Sequence, residues 1–195
     1  CDSAVPFDGG PAHGDLRDWL SHSIEAVRGS DTLLLIKPHP YELNEQIATY
    51  LNQYFTDLIE GDLPPNVMIL GHRWFDISAL KGMVDLGLIY NGTVAVEMAL
   101  MEIPCIQCNH FGPIDYPLGH LAPHSRAEYA AMLRFEQPVR GDPEMRQRAA
   151  LWLDYMSNGR FARTYRYHSR PVTNRVVYPP WWEKADLEAY FRAGD

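Results

Sequence analysis

The sequence is short of cysteine, of positive charge and of long apolar runs, and each shortage removes a class of protein. Three cysteines in 195 residues, Cys1, Cys105 and Cys108, are too few for a disulfide scaffold, and their odd number fits a reducing compartment. Seventeen Lys and Arg against 25 Asp and Glu leave a net charge of −8. A general nucleic-acid binder needs a basic surface, so no nucleic-acid partner is expected and any anion site must be local. No stretch approaches the ~18 apolar residues of a membrane span, and no charged-then-apolar leader marks the chain for secretion. The motifs G-x-x-x-x-G-K-[ST], G-x-G-x-x-G and D-x-D are missing, so a P-loop, a dinucleotide fingerprint and an acidic metal motif are unsupported. The chain does not open on Met, and we expect a fragment or a processed product.

What is present begins at one corner. Asp31-Thr-Leu-Leu-Leu-Ile36 has the composition of a strand buried on both faces, and Lys37-Pro38-His39-Pro40 follows at its carboxyl end. Open α/β sheets bind ligands at that end. Each proline fixes its own φ, lacks an N–H and holds the residue before it extended, so a stiff corner aims Lys37 and His39. The alternative is a strand stopped by two prolines, with His39 a solvated loop residue. Asp85-Leu-Gly-Leu-Ile-Tyr90, Asn91-Gly92-Thr93 and residues 94–101 read as strand, tight turn and helix. Asn91 or Thr93 is placed to cap that helix and Gly92 to let the backbone approach a ligand, a combination that suits a phosphate. An ordinary strand-to-helix connection wants the same residues. Asn91-Gly92-Thr93 also spells a glycosylation sequon, without the secretory leader such a role requires.

Around these corners strands and helices alternate. Residues 1–14 are a Gly/Pro-rich loop, and 15–27 carry Leu16, Trp19, Leu20, Ile24 and Val27 at helical spacing with Asp15 as cap. Residues 32–36, 66–70, 86–90 and 104–107 read as strands. Residues 42–60, 76–83 and 93–101 read as helices, the first with Ile47, Tyr50, Leu51, Tyr54, Phe55, Leu58 and Ile59 on one side. Such repeats mean a parallel sheet with right-handed crossovers. Residues 110–124 turn to Gly, Pro, His and Tyr, a loop over the site, and 126–135 and 142–156 are further helices.

Residues 158–175 carry Arg160, Arg163, Arg166, Arg170 and Arg175 with no acid, among Phe161, Tyr165 and Tyr167. They form either a solvated loop or a contact for an anion or acceptor. Trp181-Trp182 and residues 187–191 suggest a last helix. One main domain, 1–157, is expected, with 158–195 a basic loop and carboxyl-terminal helix packing back on it. Cys105 and Cys108 form a C-x-x-C without a second pair and read as small buried residues. His110, Asp115, His120 and His124 match no metal-ligand spacing, and no metal is expected.

Four stretches together resemble the carboxyl-terminal half of bacterial capsule polysaccharide biosynthesis proteins, which include glycosyltransferases using CMP-Kdo. They are Leu33-Leu-Leu-Ile-Lys-Pro-His-Pro40, Asn66-Val-Met-Ile-Leu-Gly71, Tyr90-Asn-Gly-Thr-Val-Ala-Val-Glu97 and Ile103-Pro-Cys-Ile106. The resemblance covers residues 2–123. It implies an α/β fold, a Rossmann-like parallel sheet flanked by helices, equivalent to the nucleotide-sugar-binding half of a GT-B enzyme. In related CMP-sugar transferases a His-Pro pair and a Ser/Thr pair hold the CMP phosphate. These map onto His39-Pro40 and onto Asn91-Gly92-Thr93, which has one hydroxyl where two are usual. His39 is thus the catalytic candidate, and Lys37, His39, Asn91, Gly92 and Thr93 would hold the donor. Glu97 would bind ribose hydroxyls or is a solvated charge. The loop Gly71-His72-Arg73-Trp74 would read the base, unless Trp74 is a core anchor.

Such enzymes take a nucleotide-sugar donor and a saccharide or glycolipid acceptor, work without a metal, and need no cofactor. The resemblance places the protein in the cytoplasm, with association at the inner membrane face through a biosynthetic complex. In the family an acceptor domain and the catalytic base precede the part matched here. CDP-glycerol-type phosphotransferases also look similar around a Lys-Pro-His-Pro corner. A non-catalytic nucleotide-binding module that needs a partner chain is the third reading.

Overall fold

The computed structural model describes residues 9–39, 42, 54–74, 77–109, 117–157, 170–172 and 175–177. It divides into two units, Cys1–Trp152 and Leu153–Asp195. In the first, α1 (Leu16–Val27) begins where the Asp15 side chain turns back to accept the Asp18 N–H at 2.8 Å. Leu16, Leu20, Ile24 and Val27 recur every three or four residues and are buried. Past the helix, Gly29 takes a left-handed φ of +70°, which frees the chain to turn into the first strand.

The strands are three residues each: β1 (Leu34–Ile36), β2 (Val67–Ile69), β3 (Gly87–Ile89) and β4 (Cys105–Gln107). β1 pairs in parallel with β2, Leu34 opposite Val67, and β3 with β4, Gly87 opposite Cys105. The ladders remain two separate two-stranded sheets, and Leu121 adds a parallel bridge to Ile106. α1 fixes their relative direction. Its carboxyl end sits at the amino ends of β1 and β2, where the Asn66 side-chain amide donates to the carbonyls of Val27 at 2.7 Å and Thr32 at 2.8 Å. Its amino half sits past the end of β3, with the Trp19 ring 5.4 Å from that of Tyr90. The four carboxyl ends therefore open on one side.

Alternation along the strands separates two cores. Leu34, Ile36, Val67, Tyr90, Ile106 and Cys108 pack with α1 and α3 (Arg126–Leu133). Ile89 and Cys105 pack with α2 (Val94–Leu100) and with Met145 and Ala149 of α4 (Met145–Ser157). Each buried aliphatic side chain contributes about 1.5 to 3 kcal/mol. Gly87 is required here because a Cβ would meet the sulfurs of Met98 and Cys105, so α2 lies directly on β3. Cys105 and Cys108, three apart on extended chain, enter opposite cores and do not face one another. Burial pushes the Cys105 thiol up to about 12 and raises that of Cys108.

A polar cluster is built into the first core at the amino end of α1. His13, 2% exposed, brings Nε2 to 2.8 Å from His22 Nδ1 and stands edge-on to Tyr129 with ring centres 4.6 Å apart. Ser23 Oγ donates to the Trp19 carbonyl at 2.6 Å, so the Tyr129 hydroxyl, 2.5 Å away, is the donor to Ser23. Arg126 closes α3 onto α1, its Nη1 2.8 and 3.2 Å from the Asp18 carboxylate oxygens. Burial opposes ionisation of Asp18, but the Gly14 N–H and Arg126 outweigh it and hold the carboxyl low.

Several expectations are corrected. Of the helix expected over 42–60, residues 43–53 lie outside the described residues. Its described end is a 3₁₀ turn, Phe55–Leu58, where Asp57 accepts the Tyr54 N–H at 2.7 Å. The helix expected over 76–83 is a 3₁₀ turn, Ile77–Leu80, ended as Gly82 turns left-handed at φ +79°. In the second unit, part of the basic stretch expected as a loop is strand. There β5 (Arg170–Val172) pairs antiparallel with β6 (Arg175–Val177), Arg170 opposite Val177. Arg160, Arg163, Arg166, residues 110–116 of the expected site loop and the last helix at 187–191 lie outside the described residues.

The His13–His22 contact makes the first unit acid-sensitive. Burial and the His22 ring hold His13 down to about 4, with Asp18 working the other way; burial and then Arg126 lower His22. Unfolded, an imidazole titrates near ~6.5, so between the two values only the unfolded chain takes the proton. Stability is therefore fully present above ~6.5 and falls as pH drops towards 4, by at most about 3 kcal/mol from His13. Melting temperatures followed from about pH 7.5 to about 4.5 should fall in the wild type and flatten in His13→Leu. Equal slopes would remove the pair as the cause.

Candidate functional site

Since the four carboxyl ends open together, the segments that follow them lie along one edge. Lys37-Pro38-His39 follows β1, Gly71 to Trp74 follow β2, Asn91-Gly92-Thr93 follows β3, and Cys108-Asn109 follows β4. Burial alternates through the first corner: Ile36 is buried, Lys37 half-buried, Pro38 fully buried and His39 exposed. Pro38 is thus an anchor driven into the core. Lys37 and His39, two apart on extended chain, leave on the other side. Beyond the corner, the Glu42 N–H donates to the His39 carbonyl at 3.0 Å.

Glu42 is a residue that sequence reasoning misses, because it sits where a helix start is expected. Its side chain is 5% exposed and its carboxylate accepts from His72 Nε2 at 3.1 Å, which ties the first corner to the second. The Tyr54 ring stands edge-on to His72, centres 5.9 Å apart. Trp74 folds back over the same loop, its backbone N–H donating to the Gly71 carbonyl at 3.1 Å. A Cβ at Gly71 would overlap the indole. The Trp74 ring is nonetheless 65% exposed, which removes the core-anchor alternative. It is an aromatic surface fixed beside the carboxyl edge.

The third corner departs from expectation. Neither Asn91 nor Thr93 caps α2. Capping needs an extended residue, whereas Thr93, at φ −65°, is already helical and its hydroxyl makes no capping bond. Asn91 Oδ1 is buried without a partner. The first turn closes on itself, the Ala95 N–H donating to Gly92 at 3.2 Å and the Val96 N–H to Thr93 at 2.9 Å. With seven residues, α2 contributes little dipole. Gly92 has φ +147°, with open space where a Cβ would stand. The backbone itself therefore demands glycine there, independent of any ligand. Glu97 is exposed one turn into α2.

The structure thus brings Lys37, His39, His72, Trp74, Asn91 and Gly92 to one edge. Tyr54 and Asn109, the latter 1% exposed at the end of β4, are further members that sequence reasoning misses. Among the described residues no three His, Cys, Asp or Glu side chains gather as for a metal, and no helix is long and apolar enough to cross a membrane. No family model, curated protein or solved structure matches the chain.

Gly92→Ala should destabilise the first unit by about 1 to 3 kcal/mol, the cost of holding an L residue in a conformation reserved for glycine. Urea unfolding measures it directly. A change under about 0.5 kcal/mol would mean that the corner relaxes and that the glycine is not conformationally required.

Proposed function

We propose that the chain is the donor-binding part of a metal-independent glycosyltransferase. It takes a CMP-activated sugar such as CMP-Kdo and serves capsule or surface polysaccharide synthesis, with a Rossmann-like domain of the GT-B kind. The observation that supports this best is the shared carboxyl edge, on which the Lys37-Pro38-His39 corner, the His72–Trp74 loop and the Asn91-Gly92-Thr93 turn lie together. Ligands of parallel α/β sheets bind at that edge.

On this reading each group has a task set by its chemistry. As the bond from phosphate to sugar breaks, negative charge grows on the CMP phosphate, and fixed donors there lower the barrier by ~3 kcal/mol each. Lys37 and His39 are those donors, and His39 is the one that moves or shares a proton. The stiffness of the corner matters because donors already in position need no reorganisation when the charge develops. Gly92 and Thr93 line the far side of the phosphate, Glu97 takes ribose hydroxyls, and Trp74 stacks on the base. The acceptor, a saccharide or glycolipid, and the catalytic base belong to an acceptor domain, and the whole works at the inner face of the membrane.

Calorimetric titration of the chain with CMP and CMP-Kdo should show binding of both. Lys37→Ala and His39→Ala should each weaken CMP by roughly tenfold to a hundredfold, the loss of one charge-assisted hydrogen bond. Melting temperature should hold, since Lys37 is half-buried and His39 exposed. Absence of binding to either ligand rejects the proposal, and binding of CDP-glycerol in preference to CMP-Kdo would move the reaction to phosphotransfer.

A further inference from the structure

The His72 ring has one nitrogen committed. Its Nε2 lies 3.1 Å from Oε2 of Glu42, whose side chain is 5% exposed. An ionised carboxylate only accepts, so Nε2 carries the hydrogen. In a neutral imidazole Nδ1 is then an acceptor. Among the described residues nothing donates to Nδ1, and the side chain is 21% exposed. The edge-on ring of Tyr54 packs against the imidazole, and Trp74, two residues on, offers an exposed indole on the same loop. The loop thus presents a flat apolar surface together with one acceptor whose tautomer is fixed from behind.

We propose that Glu42, by fixing His72 as an acceptor at Nδ1, makes this loop select a pyrimidine that carries an exocyclic amine, cytosine over uracil. The proposal rests on the nucleotide-donor reading and specifies its base. Cytosine places an N–H₂ donor where uracil has a carbonyl oxygen. The Nδ1 lone pair attracts the first and repels the second, and discrimination by an unmatched polar group is stronger than by shape alone. Glu42 touches no ligand and is a positioning residue. Its own N–H donates to the His39 carbonyl at 3.0 Å, so one residue sets both the cationic corner and the acceptor of the base-reading loop.

Glu42→Gln separates this from a purely structural staple. The carboxamide can donate to Nε2, which transfers the ring hydrogen to Nδ1 and turns an acceptor into a donor. The first measurement is the ring ¹⁵N spectrum of the ligand-free chain near pH ~8.5, above the ordinary imidazole range. His72 should be the Nε2–H tautomer in the wild type and should lose that purity in Glu42→Gln. The second is titration with CMP and UMP at the same pH. The wild type should prefer CMP by about tenfold or more, Glu42→Gln should abolish or invert the preference, and Glu42→Asp, which keeps an acceptor, should retain its direction. An Nδ1–H tautomer in the wild type overturns the proposal without reference to any nucleotide. A Glu42→Gln chain that loses melting temperature and weakens CMP and UMP equally overturns it too, as do equal wild-type affinities for the two. If neither nucleotide binds while the Nε2–H tautomer is intact, the donor-binding reading fails and the base assignment fails with it.

Discussion

Strands of three residues bury too little to hold a sheet by themselves, so the architecture of the first unit depends on α1 lying across both strand pairs. β1–β2 and β3–β4 are separate ladders. α1 ties them, through the Asn66 amide at its end and through Trp19 against Tyr90 near its start. The same helix carries Asp18 and His22, which bind it to Arg126 and to His13. If α1 shifted along its axis, the corner after β1 would slide past the turn after β3 and the common edge would be lost. The proposed site therefore depends on an element that contributes none of its ligand contacts.

Local features were legible in the sequence and distant ones were not. Asp15 as a cap, the unbroken apolar β1 and the period of α1 follow from neighbours within a few residues, and each stands within two residues of its expected place. The corner at Pro38 was legible for the same reason, since proline acts on its own φ and on the residue before it, while Pro40 lies outside the described residues. The Glu42–His72 contact joins residues 30 apart in sequence, and Ser23–Tyr129 joins residues 106 apart. No periodicity encodes such pairs. Glu42 spelled a helix start, and Tyr54 one more apolar position on a helix side. The core-anchor alternative for Trp74 leaned on the tendency of large aromatics to be buried, which the exposure of its ring overrides.

Charge shows a similar division between chain and site. A net charge of −8 repels anions at long range, and an anion site in such a chain must work within a few ångströms of its cations. Lys37 and His39 are held in place by Pro38, fully buried between them. An anchored proline limits how far either neighbour can wander, so the loss of backbone freedom on binding is already behind them in the folded state.

One unsatisfied group falls on the carboxyl edge. Among the described residues Asn91 Oδ1 has no partner, nor do His13 Nδ1 and Trp19 Nε1, and Gly92 sits beside the first of these at φ +147°. A buried polar atom left unpaired costs about 1 to 3 kcal/mol, and folded chains keep few of them. Asn91 lies directly on the carboxyl edge, and Trp19 touches it through Tyr90. Other polar groups of the first core are paired: Ser23 with Tyr129, and Asn66 with three carbonyls. The open atom of Asn91 lies at the strand ends, where a site that must exchange solvent for ligand is expected to hold a local inconsistency, whereas those of His13 and Trp19 lie about the first core.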